Sequence, residues 1–357
     1  MRQEDKKKRK SKKKSKTPLA VFVILLLMVA TGVGLYFTGN LPFTPAPEPV
    51  DNRPINPLTG LRAETLPNRV VQFSIDNVQS IPQSGLSKAD IIYEFPAEGG
   101  LTRLQALFYA ETPDVVGPIR SARPYFIDLA REYNAVFVHH GGSPAAFDYL
   151  ATGVVDDIST NTNYKIFWRS DTRYAPHDSM LNYGDLWEVI RERSIDVLKE
   201  LRTFTFAPEL TAKELEELKE QQEGEEPVVP TVTAITVENP YNLVEYKYIQ
   251  ETNLYEHYVD GELYIDAEND QAITASNILI QYVKSTVLDK YKRLAINMTA
   301  GGDALLFTGG NVVEGTWSRA DLNSPTIFTD AEGNEFVLTR GKTWVHVIDQ
   351  NSEVTYK

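Results

Sequence analysis

Two arginines stand three residues apart in VGPIRSARPY, Val116–Tyr125, between a Gly-Pro turn and a second proline, with no acidic residue inside the stretch. Proline at a first helical position predicts a helix from Pro124, which puts Arg120 and Arg123 at its positive end. A cation there is disfavoured by about 0.3–1 kcal/mol, so the pair calls for an anion. Helix amides and guanidinium forks both match phosphate or carboxylate oxygens, which makes the stretch a candidate oxyanion clamp. An internal carboxylate, Asp90, Glu94 or Glu98, would meet the same need as a structural ion pair, and the residues alone leave both readings open.

Other reactive side chains fall where an α/β sheet gathers its ligands, beyond the carboxyl ends of strands. EGGLTR brings Arg103 close after Glu94 and Glu98, HHGGSP holds His139 and His140, and WRSDTRYAPHD holds Arg169 and His177. The expected ligand-binding set is therefore Arg103, Arg120 and Arg123, with Glu94, Glu98, His139, His140, Arg169 and His177 around them. Adjacent His139 and His140 point to opposite faces of a strand, so they do not share a metal, and no metal or cofactor is expected. Ser143 reads as a helix cap ahead of Pro144, since Ala145 stands where a nucleophile elbow needs its last glycine. The chain has no cysteine, which excludes a thiol nucleophile, thiolate zinc ligands, disulfides and a lipid-modified cysteine.

The elements that position this set are legible as alternation. VVQFSID, DIIYEF, RLQALFYA and AVFVHH are short apolar runs rich in β-branched and aromatic residues and predict strands. PYFIDLAREY, SPAAFDYLA and YGDLWEVIRERSIDVLKELR, the last spanning 183–202, predict helices. Strands and helices in alternation predict an α/β domain over 58–207, a mixed sheet with flanking helices. Residues 208–230 read as a charged helix and linker. Beyond them YVDGELYID, FTGGNVVEGTW and FTDAEGNEFVLT place Gly-containing turns between strand-like runs, so 231–357 is expected to be a mostly β domain of hairpins with room for one helix.

Charge and hydropathy give the address. Residues 1–17 hold ten Lys/Arg against two acidic residues, a net +8, which leaves −21 for the rest of a chain whose total is −13. Residues 18–37, PLAVFVILLLMVATGVGLYF, carry no charge and at about 1.5 Å per residue span a bilayer core of roughly 30 Å. The expected layout is a basic cytoplasmic tail (1–17), an uncleaved transmembrane signal anchor (18–38) and a Pro-rich stalk (39–57), with all that follows extracellular. The membrane is one partner, the tail facing anionic head groups; nucleic acid is not expected from a tail that abuts the anchor.

NPLTGL, VVQFSIDN, GLSKADIIYEFPAEGGLTRLQALF, VGPIRSARPYFIDLA, HHGGSP and APHD together resemble the YerB-like family of Gram-positive envelope proteins, and SNILIQ, GGDALLF, GTWSR and GKTWVHVI resemble its second domain. The resemblance implies a two-domain extracytoplasmic protein of a family whose function is undescribed and whose familiar members look like lipoproteins. A looser likeness in layout, TRLQALFY then VVGPIRSARPY then HHGGSPAAFDYLATGVVDD, is to the LytR-CpsA-Psr phosphotransferases. It would match Arg103, Arg120 and Arg123 to pyrophosphate clamps, although Leu104, Ser121 and Pro124 follow where those enzymes have aspartate. The expected function is binding of an anionic cell-wall polymer or precursor. The alternatives are a cell-wall enzyme, either a phosphotransferase or a glycan-cleaving activity through Glu94 and Glu98, and a non-catalytic interaction module. Binding and turnover are not separated by sequence.

Overall fold

A computed structural model describes residues 51–78, 82–210, 214 and 230–357 of the chain. The signal anchor, the basic tail, most of the stalk and most of the charged helix lie outside the described residues.

The fold is two-domain and mostly β. Its principal sheet has ten strands: β1 Val71–Asp76, β2 Ile91–Pro96, β3 Thr102–Phe108, β4 Val136–His139 and β5 Asp156–Ser159 come from the first segment. In a second sheet lie β6 Ala234–Glu238, β7 Leu243–Ile249 and β8 Leu254–Val259. The principal sheet is completed by β9 Asn277–Val283, β10 Gly302–Thr308, β11 Asn311–Ser318, β12 Ile327–Asp330 and β13 Thr343–Asp349, and β14 Val354–Tyr356 joins the second sheet. The ten strands run in the order β12-β11-β10-β9-β13-β2-β3-β1-β4-β5. The two segments thus share one sheet: β13 pairs in parallel with β2, register Glu94 to His346, and on its other side in parallel with β9.

Both faces of this sheet are covered, which is why β1 is buried throughout rather than alternating with polar positions. Phe73, Ile75, Ile92 and Leu104 pack on one side with Tyr246 and Tyr255 of the second sheet. Tyr93, Phe95, Leu107 and Phe137 pack on the other with Phe126, Ile127, Leu129 and Ala130 of helix α1, Pro124–Glu132. Two more helices with described bounds follow, α2 Pro144–Leu150 and α3 Tyr183–Glu192.

The third helix corrects the expectation of one continuous helix over 183–202. Ser194 takes a left-handed φ of 55° and Ile195 N–H donates to Ile190 O at 3.1 Å, a Schellman-type closure after Glu192. The hairpin turns match their reading: Asp260-Gly261 and Gly309-Gly310 take positive φ between paired strands. All elements with described bounds within 231–357 are strands.

Candidate functional site

Asp76 is the last residue of β1 and the register partner of Arg103 on β3, so the two side chains leave the same face at the end of the sheet. Arg103 Nη1 donates to Asp76 Oδ1 at 2.8 Å, and Asp76 is fully buried. Its other oxygen takes two more neighbours: Arg120 Nε at 3.4 Å and His177 Nδ1, a hydrogen bond. An ionised carboxylate only accepts, so His177 Nδ1 carries the hydrogen in that bond. One carboxylate thereby gathers two guanidinium groups and an imidazole. Burial pulls the Arg103 guanidinium below its ordinary value, Asp76 opposes that fall, and Arg120 and Arg123 add to it, so the three arginines feel one another.

The chain around Gly117 and Pro176 aims these groups. Gly117 has a φ of +153° and exchanges backbone hydrogen bonds with Ser84, while a Cβ on it would lie 2.8 Å from Ser179 O. Two residues on, Ile119 N–H donates to that same Ser179 O at 2.7 Å, and Arg120 N–H donates to Ser74 O on β1. Arg120 Nη1 reaches Pro176 O at 2.8 Å. The loop is thus bonded on both sides, and Arg120 has little freedom to turn away.

Arg123 is the N-cap residue of α1, which has no side-chain cap, and its guanidinium is ion-paired with Glu98. Burial pulls the Glu98 carboxyl up, but the hydrogen bond and charge of Arg123 overcome it and hold Glu98 below the usual carboxylate range. Of the internal ion pairs weighed from sequence, one is present, Glu98 with Arg123; Arg103 and Arg120 are served by Asp76 in place of Asp90 or Glu94. Three guanidinium groups against two carboxylates leave +1, with His177 taken as neutral. Arg120, Arg123 and His177 each keep 16–17% of side-chain surface open to solvent.

Other expected members are divided. His140 Nε2 faces Arg169 Nη2 at 3.3 Å, so it accepts, and Nδ1 donates to Ser179 Oγ at 2.6 Å; Arg169 also pairs with Asp178, next to His177. Burial first, then Arg169, pushes the His140 imidazole down. His139 is turned away into a buried position, its Nδ1 2.7 Å from Gly141 O and its Nε2 3.2 Å from Asp157 Oδ2. Ser143 Oγ accepts from Ala146 N–H at 3.2 Å and caps α2.

Glu94 does not join the arginines. Its register partners are Leu104 and His346, whereas Arg103 is the partner of Phe95, so the pleat turns Glu94 to the face of the second sheet. Glu94 Oε1 accepts from Thr102 Oγ1 at 2.8 Å and Asn77 Nδ2 at 3.1 Å, and Oε2 lies 3.6 Å from His346 Nδ1. The acid–base pair of Glu94 and Glu98 that the glycan-cleaving alternative needs is thereby split: Glu98 is bound to Arg123, and Glu94 has a histidine for company.

Two residues of consequence escaped sequence reasoning. Asp76 ends VVQFSID as an ordinary strand terminus, and only its position opposite Arg103 reveals it as the hub. His346 stands inside the apolar run TWVHVID, and a polar residue in the middle of a buried strand is itself the signal that flags it.

Comparison with known proteins gives one lineage. Residues 58–196 match the N-terminal domain, and residues 233–345 the C-terminal domain, of a family described as protein of unknown function (DUF3048). A Bacillus subtilis (strain 168) protein named as a candidate lipoprotein, YerB, is 33% identical over 296 residues, covering 82% of this chain and 85% of its own. The crystal structure of YerB from Bacillus subtilis matches with a TM-score of 0.73 at 30% identity, covering 85% of this chain and 100% of that one.

Proposed function

The chain belongs to the DUF3048 family, and on that footing we propose that it is a membrane-associated envelope protein whose first segment binds a phosphate- or carboxylate-bearing cell-wall ligand between Arg103, Arg120, Arg123 and His177. One observation carries this reading: buried Asp76 holds Arg103 and Arg120 side by side while the set keeps a charge surplus of +1. Guanidinium groups fixed before the ligand arrives lose little freedom on binding, the usual source of affinity at preorganised sites. The uncapped N-terminus of α1 beside Arg123 adds amide dipoles of the same sign. The relative named as a candidate lipoprotein supports attachment to the outer membrane face. With no cysteine to carry a lipid, residues 18–38 are the proposed anchor, single-pass with the N-terminus cytoplasmic.

Titration of the intact chain in detergent with inorganic phosphate and pyrophosphate tests the site. Saturable binding weakened about tenfold or more by Arg120→Gln, on the order of 1.4 kcal/mol, supports it; wild-type affinity in that variant overturns it. A second reading rests on the Asp76–His177 hydrogen bond, the way a carboxylate orients an imidazole for proton transfer. Turnover of a lipid-linked pyrophosphate precursor that His177→Asn abolishes, with binding retained, would favour the enzyme.

A further inference from the structure

A cavity of about 450 Å³ opens on the sheet face opposite the arginines, where the turn after β2 meets the loop after β6 and a hairpin holding Lys292. Its floor holds Glu94 and His346, 2% and 0% exposed. Glu94 Oε1 is satisfied by Thr102, Asn77 and, at 3.4 Å, Asn239. Among the described residues Glu94 Oε2 and His346 Nδ1 are both buried without a hydrogen-bond partner within bonding geometry and face each other at 3.6 Å, with the equally unpartnered Trp344 Nε1–H close enough to act on the Glu94 carboxyl. That separation is too long for a direct bond; an oxygen about 2.8 Å from each would bridge it.

The donors and acceptors along this line are ordered. His346 Nε2 lies 2.7 Å from Tyr246 Oη; with the phenol donating, Nδ1 carries the imidazole hydrogen and points it at Glu94 Oε2. A hydroxyl is the group that fits, because it accepts from Nδ1 and donates to the carboxylate at once. Around the floor the wall is apolar, with Leu101 and Leu294, and Tyr241 stands at the mouth, 66% exposed. Gly100, at φ +89°, lets that ring lie close, since a Cβ there would be 3.0 Å from Tyr241 Cε2. The charged side chains around the cavity are Glu94 on the floor and Glu238, Asp349 and Lys292 along the wall, three acidic groups against one lysine, which disfavours an anion.

We propose that this cavity is a second ligand site, separate from the arginine cluster, which takes a neutral hydroxylated ring of the carbohydrate class. One hydroxyl bridges Glu94 Oε2 and His346 Nδ1, the ring's apolar face lies on Tyr241, and Asn239 offers its amide to a further hydroxyl. Buried polar atoms with one missing partner, set in a mostly apolar recess, are the pattern of an orienting contact in a small-molecule site. Aromatic rings supply apolar area to such ligands without fixed charge.

The intact chain in detergent, titrated with methyl β-D-glucopyranoside and with N-acetylglucosamine by calorimetry and saturation-transfer NMR, tests this. Both probes are expected to saturate, with Tyr241→Ala and Glu94→Gln each weakening binding about tenfold and Arg120→Gln leaving it unchanged. Tyr241 is exposed, so its variant keeps the fold even where Glu94→Gln perturbs it, and circular dichroism checks both. The proposal is overturned if neither probe saturates, if Tyr241→Ala binds like the wild type, or if glucuronate, glucosamine or inorganic phosphate competes as strongly as the neutral sugars.

Discussion

Single residues carry the electrostatics of this protein, and two carboxylates show how differently burial can be used. Asp76 is buried among cations, and removing its charge strands Arg103 and Arg120. Asp76→Asn should cost about 3–5 kcal/mol in urea unfolding, the usual penalty for breaking a buried pair. The same change raises the cluster's surplus from +1 to +2, so inorganic phosphate should restore more stability to the variant than it adds to the wild type. Equal phosphate effects on the two proteins would mean that anions do not reach the arginines. Glu94, by contrast, forms no ion pair with an arginine or lysine among the described residues, and burial raises its carboxyl from an ordinary 4.5 to about 7. A carboxyl with a raised folded value contributes most below 4.5 and loses that contribution as pH rises through 7. The wild type should therefore fall relative to Glu94→Gln by about 3 kcal/mol between pH 4.5 and 8.5. His346, pushed by burial from 6.5 to about 3, works in the opposite sense and erodes stability as pH falls below 6.5. Parallel denaturation midpoints of the two proteins across that range would sink the assignment for Glu94.

At the scale of elements, what was legible and what was not follows from the range of the interactions. Strands β1 to β4 and the starts of α1 and α2 rest on local signals, apolar runs and prolines, and they stand within a residue or two of their expected bounds. The Ser143 cap is equally local. The pairing of Arg123 with Glu98 bridges 25 residues and could be framed but not decided, because three acidic candidates were available. The early end of α3 was missed because 183–202 is rich in good helix formers, while the closing φ at Ser194 belongs to a residue with no strong preference for it. Gly117 is the element-scale feature with the sharpest consequence. Its φ and the 2.8 Å approach to Ser179 O leave no room for a side chain. Gly117→Ala should destabilise by about 1–3 kcal/mol and shift the loop that carries Arg120, weakening phosphate binding with it. Unchanged phosphate affinity in a destabilised variant would show that the loop's position does not aim the clamp.

Across the whole molecule, the feature invisible from the sequence is the crossing of β13 into the sheet of the first segment. Nothing in GKTWVHVI names its neighbour, yet it lies between β9 and β2, and its His346 meets Glu94 across 252 positions of chain, as the register makes plain. Glu132 on α1 ties the segments again: its carboxylate accepts from Thr326 N–H at 2.9 Å and contacts Arg319 at 3.2 Å, all three side chains buried. Two family models meet on one sheet, so the segments should not be independent folding units. A fragment of residues 51–210 would expose the edge of β2 along its whole length and the apolar face that Tyr246 and Tyr255 cover, the combination that drives edge-to-edge association. Expressed alone, it should lack a cooperative unfolding transition and aggregate, whereas co-expression with residues 230–357 should recover a soluble complex that unfolds in one step. A cooperative transition from the lone fragment would mean that the shared sheet is an interface between two self-sufficient domains, and Glu94→Gln would then lose its effect in the fragment, where His346 and the second sheet are missing.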